Sequence, residues 1–161
     1  MARIDIPEGP GGDPVQLWTL RPAMGEAVGT MIDAAYHKSQ LPARVREAAR
    51  MRIAELNDCA ICHGFRAQSF RQDGVDDDLY ANVSCYRDDP RYSDQERLAI
   101  EYAELFAADH RSIDDAFFVR LRSAFADDEI LDLTICLSTF LGLGRLLNVL
   151  GIDQAGAYPS E

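Results

Sequence analysis

The sequence predicts an all-α protein of about six to eight helices in a single domain. Its 161 residues suit one domain with a real core. Apolar residues recur at three-to-four spacing along most of the chain, which is typical of helices with one buried face. No stretch shows the strict alternation of polar and apolar residues that indicates a strand.

The two ends of the chain are expected to be irregular. Residues 1–14 hold three of the seven prolines and several glycines, which favours an irregular N-terminal arm. The single domain is then expected over residues 15–152, with a flexible tail at 153–161. The N-terminus lacks the basic and then apolar pattern of a signal peptide, so a cytoplasmic protein with reduced thiols is expected.

The first half of the chain predicts three helices. Apolar residues at helical spacing over residues 24–36 indicate the first. Pro42 suits the first turn of a second helix that runs to about Leu56. A third helix is expected from Cys59 to near Asp73, with Gly74 as its cap.

The second half predicts a short helical piece and three longer helices. The short piece falls at residues 77–84. The sequence "SDQE" at 93–96 fits a capping box that opens the next helix, and Ser112 is expected to begin another. The acidic residues 127–129 suit the start of the last helix, where negative charge is favoured by the helix dipole.

The last predicted helix carries the long apolar run at residues 130–152. The run is long enough to span a bilayer, but Asp132 and Arg145 interrupt it, so we interpret it as a helix buried on most sides. One small domain has little room to bury such a helix, so a homo-oligomer is expected (a dimer, trimer or hexamer). The net charge of −11 argues against nucleic acid or an anionic membrane as a partner.

The stretch "NDCAICHGF", residues 57–65, is the main candidate for chemistry. Asn57 and Asp58 are good N-cap residues, which places Cys59 in the first turn of a helix and Cys62 one turn later on the same face. A helix start lowers the pKa of a thiol, and the thiolate is the nucleophile. Residues His63 and Arg66 add positive charge nearby. The pattern therefore favours a reactive dithiol over two buried core cysteines.

Two other uses of the cysteines fit less well. The letters "CAICH" match the haem-attachment pattern, but covalent haem attachment normally occurs outside the cytoplasm. A zinc site needs two further ligands, and Cys85 and Cys136 stand alone in the sequence. A thioredoxin-like fold is not expected either, because it needs strands around the motif and the sequence predicts none there. No metal or organic cofactor is expected.

The segment "REAARMRIAELNDCAIC" resembles the core motif of the alkyl hydroperoxidase D-like (AhpD-like) and carboxymuconolactone decarboxylase superfamily. Redox-active members carry a glutamate, eleven residues, C-x-x-C, three residues and a histidine. Glu47, Cys59 and Cys62 match this motif. The later segment "FLGLGRLLNVLG" resembles the closing helix of the family. The resemblance covers residues 17–150 and implies an AhpD-like helical bundle.

The resemblance implies a peroxidase that cycles between a dithiol and a disulfide. In such members Cys62 would attack the peroxide and Cys59 would resolve it, while an external dithiol restores the pair. The histidine of the family falls at Arg66, which cannot act as a base because its pKa exceeds 12. Arg66 would instead stabilise the thiolate as an i,i+4 neighbour of Cys62, and Glu47 with His63 or a water would handle the proton.

Two rival functions remain open from the sequence. A lactone decarboxylase or related ring-acid enzyme has the same fold, but its members typically do not depend on a C-x-x-C pair. The other rival is a non-catalytic helical oligomer whose dithiol senses redox state, and the replacement of the expected histidine by Arg66 favours it.

Overall fold

A computed structural model describes residues 2–66 and 68–152, and within these residues the chain forms helices and no strand. The all-α prediction is confirmed. The α-helices are α1 (Asp13–Gln16), α2 (Pro22–His37), α3 (Ala43–Leu56), α4 (Ala60–Gly64), α5 (Asp77–Ala81), α6 (Asp94–Ala108), α7 (Asp115–Ala124) and α8 (Asp127–Val149). Short 3-10 helices lie at Leu17–Leu20, Gln68–Asp73, Val83–Cys85 and His110–Ser112.

The structure describes most of the predicted irregular N-terminal arm but not the predicted C-terminal tail. Residues 2–12 form no helix, whereas the last two residues of the predicted arm already belong to α1. The predicted tail at residues 153–161 lies outside the described residues.

Helix α3 is the central element of the bundle. Nine of its 14 residues are buried, because it packs against α6 on one side and α8 on another. Ala48 and Ala49 are fully buried and let neighbouring helices approach closely. Three of its charged residues, Arg46, Glu47 and Arg50, are therefore buried, whereas Arg44 and Arg52 stay partly exposed. The buried three line or adjoin the cavities described below.

Two groups of apolar side chains pack around α3. The larger group joins it to α6, α7 and α8, and its members include Leu41, Val45, Ile53, Tyr102, Phe117, Leu121, Leu133 and Leu137. The smaller group joins it to α5 and the loops that follow, through Met51, Phe70, Leu79, Tyr80, Val83, Tyr86, Tyr92 and Ile100. The cysteine turn lies at the edge of this second group.

Of the two helix starts predicted at Ser93 and Ser112, the structure confirms the first and not the second. Ser93 and Glu96 form the predicted capping box, since Ser93 Oγ accepts from the Glu96 N–H at 3.2 Å and Glu96 Oε2 accepts from the Ser93 N–H at 2.7 Å. The prediction that Ser112 begins a helix is wrong. Asp114 caps α7 instead, because its carboxylate accepts from the Phe117 N–H at 2.8 Å.

Helix α8 is confirmed as the long C-terminal helix. One side lies in the core through a stripe that includes Leu133, Leu137 and Leu147. The opposite side exposes apolar residues, and Leu131 is 60% and Ile135 44% accessible. By length and composition α8 could cross a membrane, although in the structure its apolar surface is divided between the core of the bundle and the outside.

The prediction of one helix from Cys59 to near Gly74 is wrong. Helix α4 ends at Gly64, the backbone turns extended at Phe65, and a separate 3-10 helix follows at Gln68–Asp73. Gly74 has a φ of +79°, a left-handed conformation that glycine adopts freely and that ends the segment as predicted.

Candidate functional site

The two cysteines of the motif lie on a tight turn between α3 and α4. Cys59, and not Asn57 or Asp58, is the N-cap of α4, because its sulfur accepts from the Cys62 N–H at 3.3 Å. Asp58 supplies the sharp change of direction with a φ of +49°, which aspartate tolerates better than most residues. Cys59 and Cys62 are joined as a disulfide, with their Cα atoms 5.3 Å apart.

The turn is anchored to α8 through Asn57. Its Nδ2 donates to the Leu141 carbonyl at 3.1 Å, and its Oδ1 accepts from Arg145 Nε at 3.2 Å. Asn148 donates to the Asn57 carbonyl at 3.0 Å. The approach is close: a Cβ on Gly144 would lie 2.5 Å from Asn57 Nδ2. The glycine therefore leaves room for the loop to dock.

The two sulfurs have different surroundings. Cys59 is only 4% accessible and packs among apolar residues that include Leu17, Leu147 and Ile152. Cys62 is partly buried and lines a cavity of about 290 Å³. A reagent that enters this cavity meets Cys62 on its wall and not Cys59.

The wall of the Cys62 cavity is mostly apolar and rich in aromatic rings. The ring of Tyr36 lies 5.3 Å from that of Phe65, 6.2 Å from Phe70 and 5.5 Å from Phe140, measured between centroids. The remaining walls come from Ile32, Ile53, Ile61, Leu143 and Leu147, and polar groups are contributed by Asp33, His37, Arg50 and Thr139. We refer to this space as the Cys62 cavity.

A buried charged cluster lies beside the cysteine turn. Glu47 is fully inaccessible, and its Oε2 accepts from Arg50 Nε at 2.9 Å and from the Tyr80 hydroxyl at 2.8 Å. Its other oxygen, Oε1, is buried without a hydrogen-bond partner among the described residues. The Arg50 guanidinium also contacts the cysteine turn, because it donates to the Cys62 carbonyl at 2.7 Å and to the Phe65 carbonyl at 3.3 Å.

The ionisation of this cluster follows from its burial. Burial raises the pKa of Tyr80 above its usual range, and the Glu47 charge adds to this effect. Burial also raises the pKa of Tyr36. For Arg50, burial favours the neutral form, but the Glu47 carboxylate and the two phenols outweigh it and raise the pKa. Near neutral pH the phenols are therefore neutral and Arg50 carries its charge.

The predicted residues His63 and Arg66 lie away from the cavity. The His63 side chain is exposed and makes no hydrogen bond with any described part of the chain. Because α4 ends at Gly64, the predicted i,i+4 pairing of Arg66 with Cys62 does not form. Arg66 instead lies over the Tyr80 ring, with its Cζ 4.2 Å from the centroid, and its Nη1 donates to the Phe65 carbonyl at 2.8 Å. Burial and the nearby Arg50 charge lower the pKa of Arg66.

The structure thus brings together some of the predicted residues and adds others. Glu47 and Cys62 are linked through Arg50, whereas His63 stands apart from them. Sequence reasoning missed Arg50 and Tyr80. Only one signal pointed to Arg50, its i,i+3 spacing from Glu47 on α3. Nothing in the sequence pointed to Tyr80, which comes from α5.

The remaining cysteines do not join this site. Cys85 is exposed and Cys136 is buried. Burial raises the pKa of the Cys136 thiol to about 12, so it stays protonated. Over residues 2–66 and 68–152, no group of three or more histidine, cysteine or acidic side chains could hold a metal ion.

Comparison with known proteins relates the chain to a curated protein by sequence and to several solved structures by fold. No family model matches it. The chain is 30% identical over 122 residues to the uncharacterized protein YnjA of Escherichia coli, covering 75% of this chain and 67% of YnjA.

Solved structures share the whole architecture. An uncharacterized peroxidase-related protein from Silicibacter superimposes with a TM-score of 0.80 at 19% identity, over 99% of this chain and 95% of that protein. The alkylhydroperoxidase AhpD core of an uncharacterized peroxidase-related protein from Ralstonia eutropha gives 0.77 at 18% identity, over 94% and 90%. The chain is therefore a relative of YnjA and belongs to the AhpD-like fold family.

Proposed function

We propose that the protein is a thiol-dependent peroxidase that reduces peroxides through the Cys59–Cys62 pair. One observation carries the proposal: two disulfide-forming cysteines share a turn, with one sulfur on the wall of a cavity and the other buried behind it. This is the arrangement that an attacking and a resolving cysteine require. The peroxidase-related names of the structural neighbours agree with this class of reaction.

The proposed cycle has three steps. The Cys62 thiolate attacks one oxygen of the peroxide, the O–O bond breaks, and the leaving alkoxide takes up a proton to give an alcohol, with Cys62 oxidised to a sulfenic acid. The Cys59 thiol attacks this sulfur, and water leaves as the disulfide forms. An external dithiol then reduces the disulfide and is itself oxidised. No metal or organic cofactor takes part.

The charged cluster supports the first step electrostatically. Arg50 places a positive charge at the cysteine turn, and nearby cations favour a thiolate over a thiol. Glu47 is proposed to accept the Cys62 proton, since its Oε1 has no partner among the described residues. His63 or a water is proposed to pass protons to the solvent. Arg66 adds positive charge beside Tyr80.

We also propose that the protein works as a homo-oligomer in the cytoplasm. Apolar side chains stay exposed on two helices of the single chain, through Met24 and Met31 on α2 and Leu131, Ile135 and Val149 on α8. A second copy packed on these faces would remove them from water. The molar mass in solution, measured by light scattering, tests this: a monomer at micromolar concentration contradicts it.

Stopped-flow oxidation of the reduced protein tests the peroxidase proposal. We expect the wild type to react with an organic hydroperoxide far faster than free cysteine does, and the Cys62→Ser variant to lose this reaction. Cys59→Ser should keep the first step and accumulate a sulfenic acid, because the resolving thiol is gone. Cys85→Ser is the matched control and should behave as wild type. The proposal fails if the wild-type thiol reacts no faster than free cysteine.

A further inference from the structure

A second buried arginine lies one helical turn before Arg50 on α3. Arg46 is 3% accessible, yet its guanidinium makes neither a hydrogen bond nor a salt bridge with the described residues. Its Nε is fully buried without a partner in that part of the chain. The guanidinium lies over the Phe70 ring, whose centroid is 4.6 Å from Cζ. A buried cation is costly unless an anion accompanies it, so this side chain indicates an anionic ligand.

Arg46 lines an open cavity on the surface of the bundle. The other walls include Ser39, Leu41, Pro42 and Ala43. One acidic residue, Asp73, lies on the same wall but forms no salt bridge with Arg46. We refer to this space as the Arg46 cavity.

The Arg46 cavity adjoins the Cys62 cavity. Tyr36, His37 and Phe70 contribute to the walls of both. The rings of Tyr36 and Phe70 are stacked, with an interplanar angle of 14°, and both rings line both spaces. A ligand that spans the two adjoining cavities would contact Arg46 in one and Cys62 in the other.

We propose that Arg46 binds the carboxylate of an organic molecule whose apolar part occupies the Cys62 cavity. A guanidinium matches a carboxylate in shape and can donate two parallel hydrogen bonds to it. A single cation, with Asp73 on the same wall and a net charge of −11 for the chain, disfavours a more highly charged anion such as a phosphate monoester. The assignment of a substrate class rests in addition on the proposed peroxidase function. If that function holds, the substrate is a hydroperoxide that bears a carboxylate.

Binding is tested without turnover, on the oxidised full-length protein. Calorimetric titration with octanoate is compared with titration by octanol, which has the same alkyl chain and no charge. We expect octanoate to bind the wild type and the Arg46→Gln variant to bind it at least about tenfold more weakly, because a charge-assisted hydrogen bond is lost. Arg46→Lys should recover part of the affinity. Octanol binding should not change between wild type and Arg46→Gln.

A matched variant separates local recognition from overall charge. Arg71→Gln removes one positive charge from an exposed side chain in the same region and should leave octanoate affinity within about twofold of wild type, because exposed charges are screened. The inference is overturned if Arg46→Gln binds octanoate as tightly as wild type, if Arg71→Gln weakens binding equally, or if inorganic phosphate competes with octanoate at a lower concentration than acetate does.

Turnover is tested with a terminal hydroperoxide of octanoic acid and with its methyl ester. For the acid, Arg46→Gln should lower kcat/KM at least about tenfold, and for the ester it should change kcat/KM less than about twofold. Equal losses on both substrates would overturn the assignment of the substrate class. If the wild type reduces neither compound, the peroxidase proposal fails, and the calorimetric result alone then decides whether Arg46 binds a carboxylate.

Discussion

Two arginines on the same helix, one turn apart, show opposite ways of burying a positive charge. Arg50 is 2% accessible and meets the Glu47 carboxylate and the carbonyls of Cys62 and Phe65. Arg46 is 3% accessible and meets the face of the Phe70 ring. Burial alone therefore does not tell what a charged residue does. A cation whose partners are internal holds the fold together, whereas a cation without them is available to a ligand.

The largest expected effect comes from removing Arg50. Arg50→Met should lower the free energy of unfolding by about 3–5 kcal/mol, because Glu47 is left as a buried charge without its partner. Urea unfolding at neutral pH measures this. The double variant Glu47→Gln, Arg50→Met should regain part of the loss, since the orphan charge is gone. If Arg50→Met is as stable as wild type, the assignment of Arg50 to the scaffold is wrong.

Tyr80 is the other donor to Glu47, and its removal should have an intermediate effect. Tyr80→Phe deletes the hydroxyl that donates to Glu47 Oε2 at 2.8 Å and keeps the ring beneath Arg66. A hydrogen bond to a charged group contributes about 1.5–3 kcal/mol, so we expect a loss of that size in urea unfolding. Tyr92→Phe, which removes a hydroxyl bound to the neutral Leu79 carbonyl, is the comparison and should cost less.

The same hydroxyl gives stability a dependence on alkaline pH. Burial and Glu47 raise the pKa of Tyr80 in the folded protein above its ordinary value of 10.0. The folded state then holds the phenolic proton more tightly than the unfolded state, so this contribution is complete below about pH 10 and is lost as the pH rises beyond it. Between about pH 9 and about pH 11 the free energy of unfolding in urea should fall less steeply in Tyr80→Phe, and the difference in slope should approach about one proton at the upper end of this range. Equal slopes would contradict the raised pKa.

The smallest effect on the free energy of unfolding is expected from removing Arg46. Arg46→Met removes an unpaired buried charge, which favours folding, and a cation–π contact with Phe70, which opposes it by about 0.5–2 kcal/mol. The two changes offset each other, so stability should stay within about 1 kcal/mol of wild type in the absence of ligand. A loss as large as that of Arg50→Met would show that Arg46 has internal partners and is not free for a ligand.

The main elements of the fold were predictable because their signals are local. The capping box at Ser93 forms within four residues, and the acidic start and long apolar run of α8 are continuous in the sequence, and both predictions agree with the structure. The early end of α4 was not predicted. Arg50 reaches from α3 to the Cys62 and Phe65 carbonyls, so part of the backbone hydrogen bonding at this end comes from a distant segment. Contacts between distant segments leave no periodic pattern in the sequence.

In the candidate site, too, the feature with a local sequence signal was predicted and the features that depend on packing were not. The spacing of Cys59 and Cys62 predicted a dithiol, and the structure joins the two sulfurs. The roles of the arginines could not be separated, because α3 carries Arg44, Arg46, Arg50 and Arg52 within nine residues and they look alike in the sequence. Which of them is buried, and which finds an internal anion, is decided by how the neighbouring helices pack.

The hydrogen bond from Arg50 to the Cys62 carbonyl bears on how easily the protein changes its redox state. The backbone of the cysteine turn is held by Arg50 of α3 and by the hydrogen bond from Asn57 to the Leu141 carbonyl of α8, and therefore not by the sulfur–sulfur bond alone. That bond closes a loop of sequence separation 3, which restricts the unfolded chain less than a longer loop would. The reduced form should then melt only modestly below the oxidised form, and electrons can enter and leave the pair without the fold being dismantled and rebuilt.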